Sequence, residues 1–283
     1  MIIGLAPIAG YTDYAYRSLC RQCGAELAYT EMASAEAIIR GNKKTLDLIR
    51  TGPNDSPLSI QIFGYRERAL VEAAGLVEAK ADFVDLNAGC PALDVVKTGA
   101  GSALLKDEKK LVGITRALVE TCSKPVTVKI RLGWARDDCV RLCKTLDKAG
   151  VHGIAVHGRT AKQGYSGKAD WASIHEAKKQ VSCAIYGNGD IQSKAEALLV
   201  GKNLDGVLIG RAALGDPGVF GLPCNKKEAF LEWLELSEAN LTRAKVMALA
   251  FVKGRENARA LRIELAQSHD LMELKEIWGR ALY

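Results

Sequence analysis

The sequence predicts an α/β protein, a (β/α)8 TIM barrel with a small C-terminal all-helical domain. Eight short apolar runs recur within about 220 residues, and each is followed by a stretch with helical spacing. Near-continuous apolar strands that alternate with helices are typical of parallel strands covered by helices. Eight such units favour a closed barrel over an open sheet. Because Pro223 interrupts this pattern and only helical spacing follows, we assign residues 1–221 to the barrel and residues 222–283 to the helical domain.

Composition indicates an ordinary globular protein. The 283 residues are 48% hydrophobic and 25% charged, which fits one large domain with an appendage. No segment approaches the roughly 18 apolar residues of a membrane helix, and the first residues lack the basic stretch of a signal peptide. We therefore expect a cytoplasmic protein that has no membrane partner. The net charge of +6 permits a nucleic-acid partner without demanding one.

The eight cysteines are expected to be reduced, because the chain is long and shows no secretion signal. Cys20 and Cys23 have redox or metal spacing, but no second pair lies nearby to complete four ligands. Cys139 and Cys143 are one helical turn apart, as on a buried helix face. We predict structural roles for these four residues. We also expect no metal, and a monomer.

The predicted strands are short and mostly apolar. In chain order they are Ile2–Ala6, Leu27–Tyr29, Leu58–Phe63, Phe83–Leu86, Val126–Ile130, Gly153–His157, Ala184–Tyr186 and Gly206–Ile209. Active sites of parallel barrels lie at the C-terminal ends of the strands. The residues that end or follow each run are therefore the candidates for a functional site.

The first and third strands lead into segments suited to line a ligand. The backbone of Pro7, Ile8 and Ala9 is expected to face the barrel mouth, and Thr12 or Asp13 can cap the next helix. Gln61 places an amide at the end of the third strand. An amide offers a donor and an acceptor to the edge of a heterocycle, although a capping role would also explain it.

The loop after the fourth strand carries the most distinctive residues. Asn87 and Cys90 follow the apolar run in the order Asn-Ala-Gly-Cys-Pro, so they lie beyond the C-terminal edge of the strand. The chain then passes Lys97 and two glycines, Gly99 and Gly101, which can adopt positive φ. This pattern predicts a flexible, basic active-site lid. A buried and inert Cys90 is the alternative.

Cations follow on the fifth and sixth strands. Lys129 and Arg131 are two residues apart and so lie on one face of their strand. Two cations inside a barrel are costly to desolvate unless an anion or an electron-rich ring lies between them. His157 and Arg159 repeat this spacing at the end of the sixth strand. We predict that these residues contact a ligand.

The seventh and eighth strands predict a phosphate site. Asn188, Gly189 and Asp190 end the seventh strand, and Gly210 and Arg211 end the eighth. Glycine lets backbone N–H groups approach an oxyanion, and loops after these two strands are the recurrent phosphate site of barrel enzymes. The Arg211 guanidinium suits bidentate phosphate binding. Two tight turns without a ligand are the alternative.

The basic charge of the tail is concentrated in one segment, residues 243–262. Its cations are Arg243, Lys245, Lys253, Arg255, Arg259 and Arg262, against the single acid Glu256. A solvated helix face explains most such runs. Beside a ligand-binding barrel, the segment is also a candidate surface for phosphodiester groups, with Arg255 and Arg259 as its predicted contacts.

Together these segments resemble the tRNA-dihydrouridine synthases. The resemblance is strong over residues 5–220 and looser over residues 222–283, and the chain has Ile8 where methionine is frequent in that family. The matching motifs are Ala6–Asp13, Asp85–Pro91, Lys97–Ser102, His157–Thr160, Asn188–Asp190 and Gly210–Arg211.

The resemblance implies a barrel that holds FMN and reduces the C5–C6 double bond of uridines in tRNA, with NADPH as the electron donor. It implies hydride transfer from the flavin to C6 and a proton from Cys90 to C5. The implied FMN contacts are Pro7, Ile8, Ala9, Gln61, Lys129, His157, Asn188, Gly189, Asp190, Gly210 and Arg211. The expected contacts of the tRNA are Asn87, Arg131, Arg159, Lys97, Arg255 and Arg259.

Three other functions remain open at this point. An FMN barrel that acts on a free pyrimidine, of the dihydroorotate or dihydropyrimidine dehydrogenase type, would explain the cysteine and leave the basic tail unused. A sugar-phosphate isomerase or lyase would explain the phosphate loops but not Cys90, Gln61 and Lys129 together. A non-catalytic RNA-binding module would leave the whole ligand site unexplained.

Overall fold

The computed structural model describes residues 1–254 and 258–280. Its strands β1 to β9 are Ile2–Leu5, Leu27–Tyr29, Ala33–Ser34, Leu58–Phe63, Phe83–Ala88, Val126–Arg131, Gly153–His157, Ala184–Asn188 and Gly206–Ile209. Its helices α1 to α13 are Tyr14–Gln22, Ala35–Ile39, Lys43–Leu48, Glu67–Val77, Leu93–Lys97, Glu108–Thr121, Cys139–Asp147, Trp171–Lys178, Lys194–Val200, Lys226–Ser237, Leu241–Phe251, Ala258–Gln267 and Leu271–Arg280. Short 3-10 turns occupy Glu78–Lys80, Gly101–Lys106, Arg211–Ala213 and Pro217–Phe220. In this part of the chain, no helix combines the length and apolar character that a bilayer span needs.

Eight parallel strands close into a barrel, which confirms the predicted fold. The order around the barrel is β1, β2, β4, β5, β6, β7, β8 and β9, and β9 pairs back to β1. All eight predicted runs are strands of this barrel. The two-residue strand β3 was not predicted, since Ala33–Ser34 is too short to show a period; it pairs with the end of β4.

The inward face of the strands becomes polar toward one end. Gln61 on β4 is in register with Asp85 on β5, and Asp85 is in register with Thr127 on β6. Two residues further along, Asn87 is in register with Lys129. Because side chains alternate across a strand, Asp85 and Asn87 both point into the barrel. The C-terminal half of the barrel interior therefore holds a connected polar layer.

The chain after the eighth barrel strand departs from the regular pattern. Two 3-10 turns follow β9 in place of the predicted helix, and α10 packs against α1 instead. Gly215 has a φ of +71°, and a Cβ there would lie 2.2 Å from the backbone of Ala250. Pro217 lacks the N–H that a continuing helix would use. The segment after β9 therefore packs closely against α11 and does not form the helix expected after the eighth barrel strand.

Aromatic side chains join the C-terminal helices to the barrel. Phe230, Trp278 and Phe251 pack together, with 4.4 Å between the ring centroids of Phe230 and Trp278. Tyr16 of α1 lies 6.1 Å from Phe251, edge to face. One buried cluster contains these residues together with β1 and α1. The predicted division at residue 221 therefore crosses a shared hydrophobic core, and it remains a prediction.

Candidate active site

A cleft opens at the C-terminal end of the barrel strands. It is lined by Ala6, Pro7, Ile8, Ala9, Met32, Gln61, Asn87, Gly89, Cys90, Pro91, Lys129, Arg131, His157, Tyr165, Asn188, Gly189, Asp190, Ile191, Gln192, Gly210, Arg211 and Ala212. Small and apolar groups come mainly from the loop after β1. Amides and cations come from β4 to β8 and from the segments that follow β8 and β9. The cleft can thus hold a flat molecule that has polar edges and negative charge.

The loop after β1 is fastened at both ends. The Ala6 N–H donates to the Ile209 carbonyl at 2.9 Å, and the Gly10 N–H donates to the Glu31 carboxylate at 2.5 Å. Asp13 caps α1 by accepting the Tyr16 N–H at 2.7 Å, as predicted. The backbone from Pro7 to Ala9 therefore lines the cleft in a defined position.

A chain of side-chain hydrogen bonds runs through the polar layer to Cys90. Gln61 Nε2 donates to Asp85 at 2.7 Å, and Asn87 Nδ2 donates to Gln61 Oε1 at 2.8 Å. Asn87 Oδ1 then accepts the N–H groups of Gly89 and Cys90, at 3.1 and 2.9 Å. These contacts fix the orientation of two amides that face the cleft and of the backbone that carries Cys90.

Asp85 is fully buried at the start of this chain. Burial raises the pKa of its carboxyl group to about 6, although hydrogen bonds from Thr127 and Gln61 and the nearby Lys129 cation oppose the shift. The Thr127 hydroxyl donates to its second oxygen at 2.6 Å. The carboxyl group is therefore ionised above a pH of about 6.

Cys90 lies at the cleft surface and is partly exposed. Its carbonyl accepts the Ser102 N–H at 2.9 Å. Gly101 has a φ of +59°, and a Cβ there would lie 2.8 Å from the Cys90 carbonyl oxygen. The segment predicted as a lid contains α5 and is tied to Cys90 by this close backbone contact. Cys90 is thus anchored on both sides.

Lys129 and Arg131 both line the cleft, as their spacing predicted. Burial and the neighbouring Arg131 lower the pKa of Lys129 to about 8, and its Nζ donates to Asn188 Oδ1 at 3.3 Å. Arg131 donates to the carbonyls of Gly89, Thr160 and Gly164. Its guanidinium therefore joins the Cys90 loop to the loop after β7, in addition to facing the cleft.

His157 ends β7 beneath an exposed aromatic ring. Burial and the surrounding cations, above all Lys129, lower the pKa of His157 to about 2, so its imidazole is neutral. Tyr165, which is 60% exposed, stands edge-on to His157, with 6.4 Å between the centroids. The Arg211 guanidinium lies 4.5 Å from the Tyr165 ring centroid. An aromatic face and a cation thus meet at the entrance.

Asp190 orients the two arginines of the predicted phosphate loops. Its carboxylate accepts from Arg159 at 2.7 Å and from Arg211 at 3.0 Å. Asp190 itself has a φ of +62°, in the left-handed backbone region that Asp adopts more readily than most residues. At Gly210, an added Cβ would meet nothing nearer than 3.8 Å, so the backbone there is open to the cleft. The Asp190 carboxylate thus fixes both arginines, and the predicted cofactor contact of Asp190 remains a prediction.

Most predicted site residues line one cleft, and three do not. Pro7, Ile8, Ala9, Gln61, Asn87, Cys90, Lys129, Arg131, His157, Asn188, Gly189, Asp190, Gly210 and Arg211 all contribute to its wall. Arg159 lies behind the wall and is 2% exposed. Lys97 ends α5, and Arg259 is exposed on α12, both away from the wall. Arg255 lies outside the described residues. The tRNA contacts of these four residues remain predictions.

The sequence reasoning missed several residues of the site. Met32, Tyr165 and Gln192 line the cleft without having been predicted. Met32 and Gln192 lie in loops, where no periodicity marks them. Asp85 had a readable signal, because an acid inside an apolar run, two residues before Asn87, must share its inward face.

Two members of the predicted basic tail surface have contacts within the protein. Arg243 on α11 forms ion pairs with Asp13 at 3.1 Å and with Glu31 at 2.9 Å. Burial raises the pKa values of both carboxyl groups, and the Arg243 cation opposes the shift. Lys245 donates to the Ala266 carbonyl at 2.8 Å. Arg243 thus connects the helical domain to the loop that lines the cleft.

Two buried polar atoms beside the cleft have no hydrogen-bond partner within the described residues. They are His157 Nδ1 and Arg159 Nη1. A buried polar group without a partner is costly, so His157 Nδ1, whose residue lines the cleft, suits a ligand that supplies an acceptor or a donor. Together with Lys129, Arg211 and the open Gly210 backbone, it fits a planar anionic cofactor. In residues 1–254 and 258–280, no cluster of three His, Cys, Asp or Glu residues could hold a metal ion.

The sequence profile of the dihydrouridine synthase family matches residues 4–278. A probable tRNA-dihydrouridine synthase of Aquifex aeolicus is 36% identical over 294 aligned positions, which cover 95% of this chain and 92% of that protein. The tRNA-dihydrouridine synthase B of Pseudomonas syringae pv. tomato is 43% identical over 222 positions, covering 76% of this chain and 66% of that protein.

Two solved structures share the barrel at low identity. The old yellow enzyme homologue from Zymomonas mobilis superposes with a TM-score of 0.50 and 13% identity, covering 76% of this chain and 86% of that one. Mandelate oxidase with benzoyl-formic acid superposes with a TM-score of 0.51 and 19% identity, covering 86% and 74%. Likeness at this level establishes the fold alone.

Proposed function

Because the chain belongs to the dihydrouridine synthase family, we propose that it reduces the C5–C6 double bond of uridines in tRNA. We further propose that FMN is its cofactor and that NADPH is the electron donor. The observation that carries the proposal is the position of Cys90. Its thiol lines the same cleft as Lys129 and His157, and its backbone is fixed by Asn87.

The residues of the cleft would supply contacts for the phosphate and the ring system of FMN. Gly210, Gly189 and Arg211 would bind the phosphate, while Gln61 and Lys129 would meet the edge of the ring system. Bound FMN supplies a hydride acceptor and donor, which no amino-acid side chain provides. The Lys129 cation stabilises negative charge beside it, because Lys129 is protonated below a pH of about 8.

Cys90 is the proposed general acid. Reduction at C6 leaves negative charge at C5 and O4 of the uracil ring, and a proton must then reach C5. The Cys90 thiol can deliver that proton from the cleft wall. Asn87 and Arg131, which lie on either side of the Cys90 loop, are proposed to contact the polar edge of the uracil.

A uridine in folded tRNA must leave its stack to reach this cleft. The exposed Tyr165 ring and the Arg211 guanidinium stand at the entrance, where they can receive the extruded base. The basic tail would bind backbone phosphates at the same time. We propose that the protein acts in this way as a monomer in the cytoplasm.

The first test is the visible absorption spectrum of the purified protein. We expect a flavin spectrum that NADPH bleaches without oxygen, and that tRNA lacking dihydrouridine then restores. A colourless protein that takes up no added FMN would contradict the cofactor assignment and favour the sugar-phosphate barrel.

A second test compares substrates. Mass spectrometry should detect a gain of two hydrogens on uridine in tRNA, while free uracil and orotate turn over at least about a hundredfold more slowly, since they lack the phosphates that the basic surface binds. Comparable rates on free pyrimidines would favour the dehydrogenase alternative. Binding of tRNA by a protein without flavin would indicate the non-catalytic module.

A further inference from the structure

The buried carboxylate of Asp85 has no part in the proposed chemistry, yet it begins the chain of hydrogen bonds that ends at Cys90. It does not line the cleft, and it is fully buried. Its partners are the side chains of Gln61 and Thr127. Burying an ionisable group costs desolvation free energy, so a role for Asp85 must come from its effect on the groups that it contacts.

The two ends of the chain determine the direction of every bond within it. At one end, the ionised carboxylate of Asp85 can only accept, so Gln61 must turn Nε2 toward it. At the other end, the N–H groups of Gly89 and Cys90 can only donate, so Asn87 must turn Oδ1 toward them. The bond between the amides then runs from Asn87 Nδ2 to Gln61 Oε1.

Only one arrangement of the two amides satisfies both ends. If Gln61 turned over, its Nε2 would meet Asn87 Nδ2, and two donors would face each other. If Asn87 turned over as well, its Nδ2 would meet the N–H groups of Gly89 and Cys90. No rotation of the two amides removes this conflict, because a backbone N–H can only donate.

We propose that Asp85 is a positioning residue that sets the polarity of the Gln61 and Asn87 amides and thereby fixes the backbone of Cys90. The consequence for catalysis rests on the proposed function of Cys90 as the acid. The positioning itself does not, since it concerns hydrogen bonds within the protein.

The substitution Asp85→Asn tests the polarity with almost no change in shape. As long as the Thr127 hydroxyl continues to donate to position 85, the new amide has its oxygen toward Thr127 and its nitrogen toward Gln61, so Gln61 must turn over or lose its bond. If Gln61 turns over, Asn87 must turn over as well so that two donors do not face each other, and the N–H groups of Gly89 and Cys90 then lose their acceptor. With a net hydrogen bond worth about 1 kcal/mol, we expect their hydrogen exchange to accelerate by roughly fivefold.

A second substitution should reverse the effect of the first. In the double variant D85N/Q61E, the carboxylate moves to position 61, where it accepts from the amide at position 85 and from Asn87 Nδ2. Asn87 Oδ1 can again accept from Gly89 and Cys90, and the net charge equals that of the native protein. We expect native exchange rates at these two N–H groups.

The matched control is Thr127→Val. It removes the other partner of Asp85 and, measured at about pH 8, well above the native pKa of about 6 where the carboxyl group is ionised, it leaves the direction of the bond to Gln61 unchanged. If the Cys90 loop depended only on the number of hydrogen bonds that Asp85 makes, Thr127→Val would loosen the loop as much as D85N does. We expect native exchange at Gly89 and Cys90 in this variant.

The experiment is hydrogen exchange by NMR on protein isotopically labelled at glycine and cysteine, with tRNA reduction measured in parallel. Faster exchange in D85N, with recovery in D85N/Q61E, supports the proposal. Native exchange in a folded D85N, or fast exchange in a folded D85N/Q61E, overturns it. If D85N does not fold, the double variant decides. If exchange behaves as expected while tRNA reduction is unchanged throughout, the positioning stands and the proposed role of Cys90 is wrong.

Discussion

At the scale of the residue, the proposed chemistry depends on a thiol in a fixed position. Asn87 accepts the Cys90 N–H at 2.9 Å, and Ser102 donates to the Cys90 carbonyl at 2.9 Å. Hydrogen bonds therefore hold both the N–H and the carbonyl group of Cys90. Proton transfer is sensitive to such placement, because donor and acceptor must lie within hydrogen-bond reach.

Replacing Cys90 with Ala should separate the two halves of the reaction. Loss of a general acid typically costs about 10²- to 10⁴-fold, so dihydrouridine formation should fall by at least a hundredfold. Reduction of the flavin by NADPH should be unchanged, since it needs no proton at uracil C5. Stopped-flow absorbance and product mass spectrometry measure the two steps. Equal loss in both would contradict the role of Cys90.

Lys129 should make flavin binding depend on pH. With a pKa of about 8, its side chain is charged at pH 7 and mostly neutral at pH 9. A ligand that needs the cation should therefore bind roughly tenfold more weakly at pH 9. The measurement is FMN titration of apoprotein, followed by fluorescence. Lys129→Gln should bind weakly at both pH values, and an equal pH response in the two proteins would contradict the expectation.

At the scale of the element, the loop after β1 depends on a residue from the other end of the chain. Glu31 accepts the Gly10 N–H on one side and pairs with Arg243 of α11 on the other. The Glu31 and Asp13 side chains are buried, whereas Arg243 is one-third exposed. Two buried carboxylates thus share one cation at the junction of barrel and tail.

Arg243→Met should destabilise the protein by about 2 to 3 kcal/mol. Removing one partner of a buried ion pair leaves uncompensated charge, here reduced by the partial exposure of Arg243. Urea denaturation measures the change in the free energy of unfolding. Arg262→Met on the exposed face of α12 is the control and should cost less than about 0.5 kcal/mol. Equal costs for the two would show that the ion pairs contribute no stability.

The tail surface should respond to charge reversal. Changing Arg255 and Arg259 to Glu should weaken tRNA binding and reduce its salt dependence, because each lost phosphate contact lowers the salt slope by about 1. Filter binding across salt concentrations provides the measurement. The control is the pair Lys148→Glu and Lys202→Glu, which makes the same change of −4 in net charge at exposed positions at the opposite end of the barrel. An unchanged salt slope would indicate that the tail only packs.

At the scale of the whole molecule, barrel and tail share one hydrophobic cluster. Trp233 is fully buried and donates from its indole to Asp13, while Phe251 packs against Tyr16. The barrel therefore uses the tail where its last outer helix would otherwise lie.

A chain of residues 1–221 alone should not form a stable barrel. Loss of the tail exposes the apolar surface of α1, including Ala15 and Leu19, at about 25 cal/mol for each Å². We expect aggregation, or a melting temperature well below that of the full chain, measured by circular dichroism. Cooperative unfolding at the temperature of the full chain would contradict the shared core.

The sequence by itself determined the barrel and most of the cleft. Eight apolar runs predict parallel strands because both faces of such strands are buried, and their ends predict the site because all eight ends meet at one edge. Local pattern is enough for both steps. The same reasoning placed Cys90, Lys129 and His157 in one cleft.

Only the tertiary structure decided how those residues are connected. The roles of Asp85 and of the Arg243 ion pairs depend on contacts between residues 24 to 230 positions apart, between Asp85 and Gln61 at one extreme and Arg243 and Asp13 at the other. The placement of Arg159 behind the cleft wall, and of Tyr165 at its entrance, is also a matter of how loops cross. Periodicity reports which face a residue shares with its neighbours in the chain. Periodicity does not indicate which distant donor bonds to which acceptor, because such pairs form only when the chain folds.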